Sequence, residues 1–367
     1  MKLHSVILVS LALLAMTGST QHTAAFPSSQ SAQFANIVKI DNRTLMQKYS
    51  FLAEFHSGRG VGQSGNYLYT RVMRFANILD NGELEPVGKR ISDNEGSIDW
   101  TSLTSLLQKI ITRDSRIPIL GLWICNFENL TEPGTRAFLT RLSNLLTDLN
   151  GTLIWIPAWE FNQHADWGHP EWNWGLGIAG SPREWYIKAD TYVEKMTMIR
   201  NTRDSLGIRN ILIGSQPDSL FRNTYPNWNG EKDPYPLTGQ RVLMHYREGI
   251  NQADVIGCSM YVCLYVRGVC TDVALTNKTY IEAAFDWMHK IHDYVGPDKP
   301  FFACEYNSMD VGGSTNANTF FIENSYGQIP VNFDWGFRAL SWWVPFNSSE
   351  AWTTCKYWAG QYDGWTP

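Results

Sequence analysis

Leu153-Ile-Trp-Ile-Pro-Ala-Trp-Glu160-Phe-Asn162 and Lys299-Pro-Phe-Phe-Ala-Cys-Glu305-Tyr-Asn307 are short apolar runs, and each closes on a glutamate set among aromatic residues. Runs of this length read as buried strands. Others follow the same pattern at Ser50–Phe55, Ile117–Cys125, Asn210–Gln216, Asp254–Tyr261 and Ala339–Val344. Amphipathic stretches lie between them, which is the alternation of β/α units. Between Glu160 and Glu305 two further strands intervene, so three units share 145 residues, about 48 each. That spacing suits strands four and seven of a (β/α)8 barrel with long loops on its active face. An eighth strand is required between the first two runs, and Pro86–Ile91 fits best. A doubly wound sheet is the alternative, but it calls for a Gly-rich phosphate loop, and Ser57-Gly-Arg-Gly60 is only a faint echo of one. The expected fold is therefore α/β, a single-domain (β/α)8 TIM barrel.

Local signals place the helices. Ser181-Pro-Arg-Glu184 has the form of a capping box with Pro at the first helical position, and its helix is expected to reach Gly207. Asp99 is expected to cap a helix running to Arg113. Helical periodicity also covers Gln240–Ile250 and Lys278–Val295, the latter ending at Gly296.

The first residues have the form of a secretory signal. Lys2 and His4 lead an apolar run from Val6 to Met16, and small polar residues follow. This run falls short of the roughly 20 apolar residues that span a bilayer. Residues 1–25 are assigned to the signal and 26–367 to the catalytic domain. Sequons at Asn42, Asn129, Asn150, Asn277 and Asn347 agree with export and glycosylation. Six cysteines suit an oxidising compartment. Cys263 and Cys270 flank a short loop and form the preferred bridge. Cys258 and Cys304 are placed on adjacent strands, paired or as buried thiols, which leaves Cys125 and Cys355 as a third pair. The net charge of −5 comes without a basic stripe, which argues against nucleic acid and against an anionic membrane surface. A secreted, extracellular monomer is expected.

Sixteen Trp, sixteen Tyr and seventeen Phe are more than a core of this size needs. Trp167, Trp172 and Trp174 lie in a polar Gly/Pro-rich stretch, where a flat ring suits the C–H face of a pyranose. Strand ends in a β/α barrel form the active-site face. Reading them in order yields His56, Asn126, Glu160, Gln216, Tyr261, Glu305 and Trp343, a polar and aromatic set following apolar strands. A carboxylate on a buried strand is costly to desolvate. Two of them on separate strands match the acid and nucleophile of glycoside hydrolysis.

Trp159-Glu160-Phe161-Asn162, with the Trp-rich loop and helix after it, resembles the His-Glu-x-Asn region of glycoside hydrolase family 26. Ala253-Asp-Val-Ile-Gly-Cys-Ser-Met-Tyr261 resembles that family's sixth strand, and Lys299–Glu305 its seventh. The resemblance covers roughly residues 45 to 346. It implies a retaining β-glycanase with Glu160 as general acid/base and Glu305 as nucleophile. Together with the strand-end and loop readings, the expected substrate contacts are His56, Asn126, Trp159, Asn162, Trp167, Trp172, Trp174, Gln216, Tyr261 and Trp343. The substrate implied by default is a β-mannan, with β-1,3- or β-1,4-glucan or β-1,3-xylan as the alternative. Two departures stand out: Trp159 occupies the position where the family's mannanases carry His, and Trp123-Ile-Cys125 replaces a Trp-His pair. Neither a cofactor nor a metal is expected, because His164 and His169 lack a ligand spacing such as HExxH. A non-catalytic carbohydrate-binding barrel and a transglycosylase are the rival readings.

Overall fold

The computed structural model describes residues 52–56, 69–87, 96–114, 116–162, 187–219, 238–262, 264–266, 269–271, 277–307, 315–342 and 349–362. The expected positions at Asn42, Trp167, Trp172, Trp174, Cys263, Trp343 and Asn347 lie outside these residues, as do the side chains of His56 and Cys270.

Eight strands run parallel and close on themselves. In chain order they are β1 (Leu52–His56), β2 (Tyr69–Ile78), β3 (Ile117–Ile124), β4 (Leu153–Ile156), β5 (Ile211–Ser215), β6 (Val255–Tyr261), β7 (Phe301–Asn307) and β8 (Phe337–Trp342). Each pairs with its sequence neighbour, and β1 closes the ring by pairing with both β8 (Leu52↔Ala339) and β2 (Glu54↔Tyr69). Two residues, Leu84–Glu85, add an antiparallel edge to β2, and Leu264–Val266 forms a separate hairpin with Val269–Thr271. Following the barrel strands are the helices α1 (Trp100–Gln108), α2 (Glu132–Asp148), α3 (Ala189–Ser205), α4 (Thr238–Ile250), α5 (Lys278–Val295), α6 (Thr315–Gly327) and α7 (Ser349–Tyr362). A closed parallel sheet with helices outside it buries both faces of each strand. All eight residues of β3 and all seven of β7 are accordingly buried. In α5, Tyr280, Ile281, Ala284, Phe285, Met288, Ile291 and Val295 recur at helical spacing and turn inward.

Several local expectations hold. Asp99 caps α1 by accepting from the Ser102 N–H at 2.7 Å, and the helix continues as a π-turn over Lys109–Arg113. Asn277 caps α5, and Gly296 follows its last residue.

Others are corrected. The second strand is Tyr69–Ile78, not Pro86–Ile91. Inward-facing Arg71 interrupts its apolar pattern, and the partners that make that burial tolerable come from β5 and β7. Helix α3 begins at Ala189, with Lys188 in the cap position and no side-chain cap bond. The Ser181–Glu184 box lies outside the described residues. Cys125 and Cys355 form no bridge, and Cys258 and Cys304 are also thiols. Cys258 and Cys304 do lie on neighbouring strands, where Ala303 pairs with Cys258. Burial pushes the Cys258 and Cys355 thiols up, so both stay protonated at neutral pH.

The N-terminal rim of the barrel is locked by Asp254, just before β6. Its carboxylate receives Arg200 Nη1 at 2.6 Å, Arg203 Nη1, and the Ile213 main-chain N–H at 2.8 Å. Arg203 is 1% exposed and Asp254 8%. Asp254→Ala takes the buried one of that guanidinium's two carboxylates and leaves it only the more exposed Asp204, which costs on the order of 3 kcal/mol. Urea unfolding of this variant is expected to show a lowered midpoint with an unchanged slope.

Candidate active site

Glu305 reaches the barrel interior through a break in strand register. Ala303 pairs with Cys258 and Glu305 with Ser259, so Cys304 is an extra residue on β7. A Cβ on Gly257 would lie 2.1 Å from Cys304 Sγ, so this glycine leaves the space that the thiol fills. Ser259 shares a face with Gly257, and its Oγ accepts from Gln216 Nε2 at 2.7 Å. The same Nε2 donates to Glu305 Oε1 at 3.1 Å. Two consecutive residues, Cys304 and Glu305, thus face inward, while Tyr306 turns out against Phe285 and Phe321.

The carboxylate of Glu305 is fully dressed. Arg71 Nη2 donates to Oε1 at 2.7 Å, and the pair is 0% and 3% exposed. Arg71 Nη2 also donates to Gln216 Oε1 at 2.6 Å, which fixes the orientation of that amide. On the other oxygen, Oε2, the Tyr261 hydroxyl donates at 2.7 Å. Burial raises the Tyr261 pKa well above the ordinary phenol value, and the charges of Glu305 and Glu160 raise it further. Tyr261 therefore keeps its proton and acts as a donor. Both carboxylates lie close enough to act on this one phenol.

Glu160 sits four residues beyond β4, held between two anchored aromatics. Trp159 is 3% exposed and meets Phe75 and Trp123 edge-on, at centroid distances of 4.9 and 5.3 Å. Phe161 turns the other way and stacks on Tyr192 at 3.7 Å. Between them Glu160 adopts φ +49°, a left-handed conformation rare for a residue with a Cβ. Its N–H donates to Gln216 O at 2.6 Å. Glu160 itself is half-buried, at the mouth of the barrel rather than beneath it.

The structure thus brings Glu160, Glu305, Gln216 and Tyr261 together. It gives different work to some expected substrate contacts. Trp159 is spent on packing beneath the acid. Both amide atoms of Asn162, 1% exposed, are taken by the main chain of Asp218. Gln216, 0% exposed, holds Glu305 rather than facing a groove. Trp155 packs outward on Phe138 of α2. His56 ends β1, and Asn126 follows β3 with its N–H bound to Asn77 Oδ1 at 3.1 Å. Among the sequons, Asn129 and Asn150 are exposed, and Asn277 is half-buried with Oδ1 accepting from the Thr279 N–H. Arg71 was missed. Its signal was the charged residue inside Tyr69-Thr-Arg-Val-Met-Arg-Phe-Ala, an alternating run that reads as a strand only once the arginine is allowed inside. No group of three or more metal-ligating side chains is found among the described residues.

No family model matches this chain. No curated protein matches it either. Among solved structures it is similar to a modular endo-β-1,4-mannanase from Cellulomonas fimi, at 12% identity over 94% of this chain and 76% of that one, with a TM-score of 0.48. It is similar also to a family 26 β-mannanase from Bacteroides ovatus, at 11% identity over 89% and 92%, TM-score 0.49. A third is a family 26 protein from a Muricauda species, at 10% identity over 92% and 99%, TM-score 0.49.

The left-handed backbone at Glu160 has a measurable cost, on the order of 1 kcal/mol for a residue bearing a Cβ. Glu160→Gly and Glu160→Ala remove the same carboxylate, but only glycine relieves the backbone. Glu160→Gly is expected to melt about 1–2 °C above Glu160→Ala in calorimetry; equal melting temperatures would contradict the strain.

Proposed function

We propose that this chain is a secreted retaining endo-β-glycanase with Glu305 as nucleophile and Glu160 as general acid/base. One observation supports this most. A buried carboxylate receives Arg71, Gln216 and Tyr261, and the charge of a second, half-buried carboxylate acts on the same phenol. Three donors fix the orientation of this carboxylate for attack. Oε1 takes two of those donors and Oε2 one, which favours attack through Oε2.

In the first step Glu305 bonds to the anomeric carbon while the glycosidic bond breaks. The leaving oxygen takes the proton of Glu160. In the second step water adds to the anomeric carbon, its proton passes to the Glu160 carboxylate, and Glu305 departs. The configuration at carbon is inverted twice and so retained. Tyr261 keeps its hydrogen bond to the departing carboxylate, and Arg71 meets the charge as it returns. No cofactor enters either step. Trp159 and Phe161 anchor the turn that carries Glu160 at the mouth of the barrel.

A β-mannan is the default substrate by family resemblance. The burial of Trp159 favours a second reading. The position where the family's mannanases place a sugar-contacting His is here given to packing, so a β-glucan or β-1,3-xylan is the alternative. The signal at residues 1–25 and the exposed sequons at Asn129 and Asn150 support export as a glycoprotein.

The test is a panel of β-mannan, β-1,4-glucan, β-1,3-glucan and β-1,3-xylan, with product sizing and NMR of the first anomer released. Internal cuts releasing the β-anomer from one of these are predicted, with turnover lost by about 10³-fold or more in Glu305→Gln. Glutamine is chosen because Glu305→Ala would strand a 0% exposed guanidinium and confuse lost chemistry with lost folding. Glycan binding without cleavage, equal in wild type and Glu305→Gln, would favour the non-catalytic rival. Products longer than the substrate would favour the transglycosylase.

A further inference from the structure

Both carboxylates are referenced to the same three residues, Gln216-Pro217-Asp218, which continue β5 beyond its last ladder position. Gln216 does this twice over. Its main-chain O accepts the Glu160 N–H at 2.6 Å, while its side chain donates to Glu305 Oε1 at 3.1 Å. The segment itself is held. Ser259 N donates to Pro217 O at 3.0 Å, Ser219 N donates to Ser259 O at 3.1 Å, and Asp218 forms a parallel bridge with Ser259. Pro217 restricts the residue before it to extended backbone, which keeps Gln216 O aimed at the loop carrying Glu160.

Asn162 ties that loop to the segment a second time. Asn162 Nδ2 donates to Asp218 O at 3.0 Å, and Asp218 N donates to Asn162 Oδ1 at 2.7 Å. The side-chain amide stands in for a strand residue opposite Asp218, satisfying both main-chain groups of a position that has left the ladder. Left-handed backbone at Glu160 persists only where its flanks are over-determined. Upstream, Trp159 is fixed in the core; downstream, the Asn162 clamp lies two residues on. At 1% exposure Asn162 does not touch substrate.

We infer that Asn162 is a positioning residue for the acid/base, holding Glu160 in its left-handed turn through a two-point amide clamp on Asp218. This rests on the reading of Glu160 as general acid. The clamp acts on proton delivery to the leaving group. It does not touch Glu305, which is held from the far side by Arg71, Tyr261 and the Gln216 side chain.

That separation is what the experiment reads. Wild type, Asn162→Ala, Asn162→Asp and Glu160→Ala are compared by kcat/KM on the phenyl and 2,4-dinitrophenyl β-glycosides of the disaccharide unit of whichever panel glycan the wild type cuts. The dinitrophenolate leaves without a proton, whereas the phenolate needs one. A general acid contributes on the order of 10²–10⁴-fold. Asn162→Ala is therefore expected to lose about 100-fold on the phenyl glycoside and less than about 5-fold on the dinitrophenyl one. Asn162→Asp keeps an acceptor for the Asp218 N–H but loses the donor to Asp218 O. Its loss should be intermediate with the same leaving-group dependence, and it carries the comparison should Asn162→Ala fail to give a native circular dichroism spectrum. Equal losses on both leaving groups, or none, would overturn the inference while leaving Glu160 in place. If Glu160→Ala itself shows no leaving-group dependence, or wild type cuts no glycan of the panel, the acid assignment falls and takes the inference with it.

Discussion

The buried ion pair between Arg71 and Glu305 is the constraint on which the site depends. It joins β2 to β7 across the barrel, with 0% and 3% side-chain exposure. Two charges in such a place are expensive to desolvate, and their attraction compensates only when the remaining hydrogen-bonding groups are met. The surrounding structure meets those of the carboxylate. Gln216 bridges the two partners, Ser259 takes the second hydrogen of that amide, and Tyr261 covers the far oxygen. The extra residue in β7 turns Glu305 into this cage, and Gly257 leaves room for the thiol before it. Sequence pattern, strand register and electrostatics therefore converge on one carboxylate.

From there the second carboxylate follows by connection. The main chain of Gln216 holds the loop of Glu160, so the residue orienting the Glu305 carboxylate also places Glu160. The two glutamates come from strands separated by two others, and neither local segment fixes their relation. The barrel brings the strand ends to one rim, and hydrogen bonds to the extension of β5 tie both carboxylates to the same short segment. The opposite rim carries the Asp254 network with Arg200 and Arg203, which locks β5 and β6 together at their starts. Stability is invested at one end of the barrel and strained backbone at the other.

Much of this was legible in the chain. The strands near 117, 153, 211, 255, 301 and 337 announce themselves as apolar runs because a covered parallel sheet demands them. Asp99 was readable as a cap because its partner Ser102 is three residues away. What stayed hidden depended on distant partners. Arg71 made β2 look unlike a strand, since the groups that justify a buried arginine lie 145 and 234 residues further on. Trp159, Asn162 and Gln216 were found as residues of the site, but their roles were not. Sequence shows that a polar or aromatic residue follows a strand, whereas the register of neighbouring strands decides whether it meets solvent, a main chain or another side chain. The Cys125–Cys355 pair failed for the same reason, since those two residues have no local pattern that brings them together.

The most direct measurement is covalent trapping. Incubation with the 2-deoxy-2-fluoro-β-glycoside of whichever sugar the enzyme accepts, bearing a dinitrophenolate leaving group, slows release of the intermediate and lets it accumulate. The account predicts time-dependent inactivation with a mass increase of one fluoroglycosyl unit per chain, located by peptide sequencing on Glu305. A label on another residue, or turnover of the natural glycan with no covalent adduct and inversion at the anomeric carbon, would contradict it.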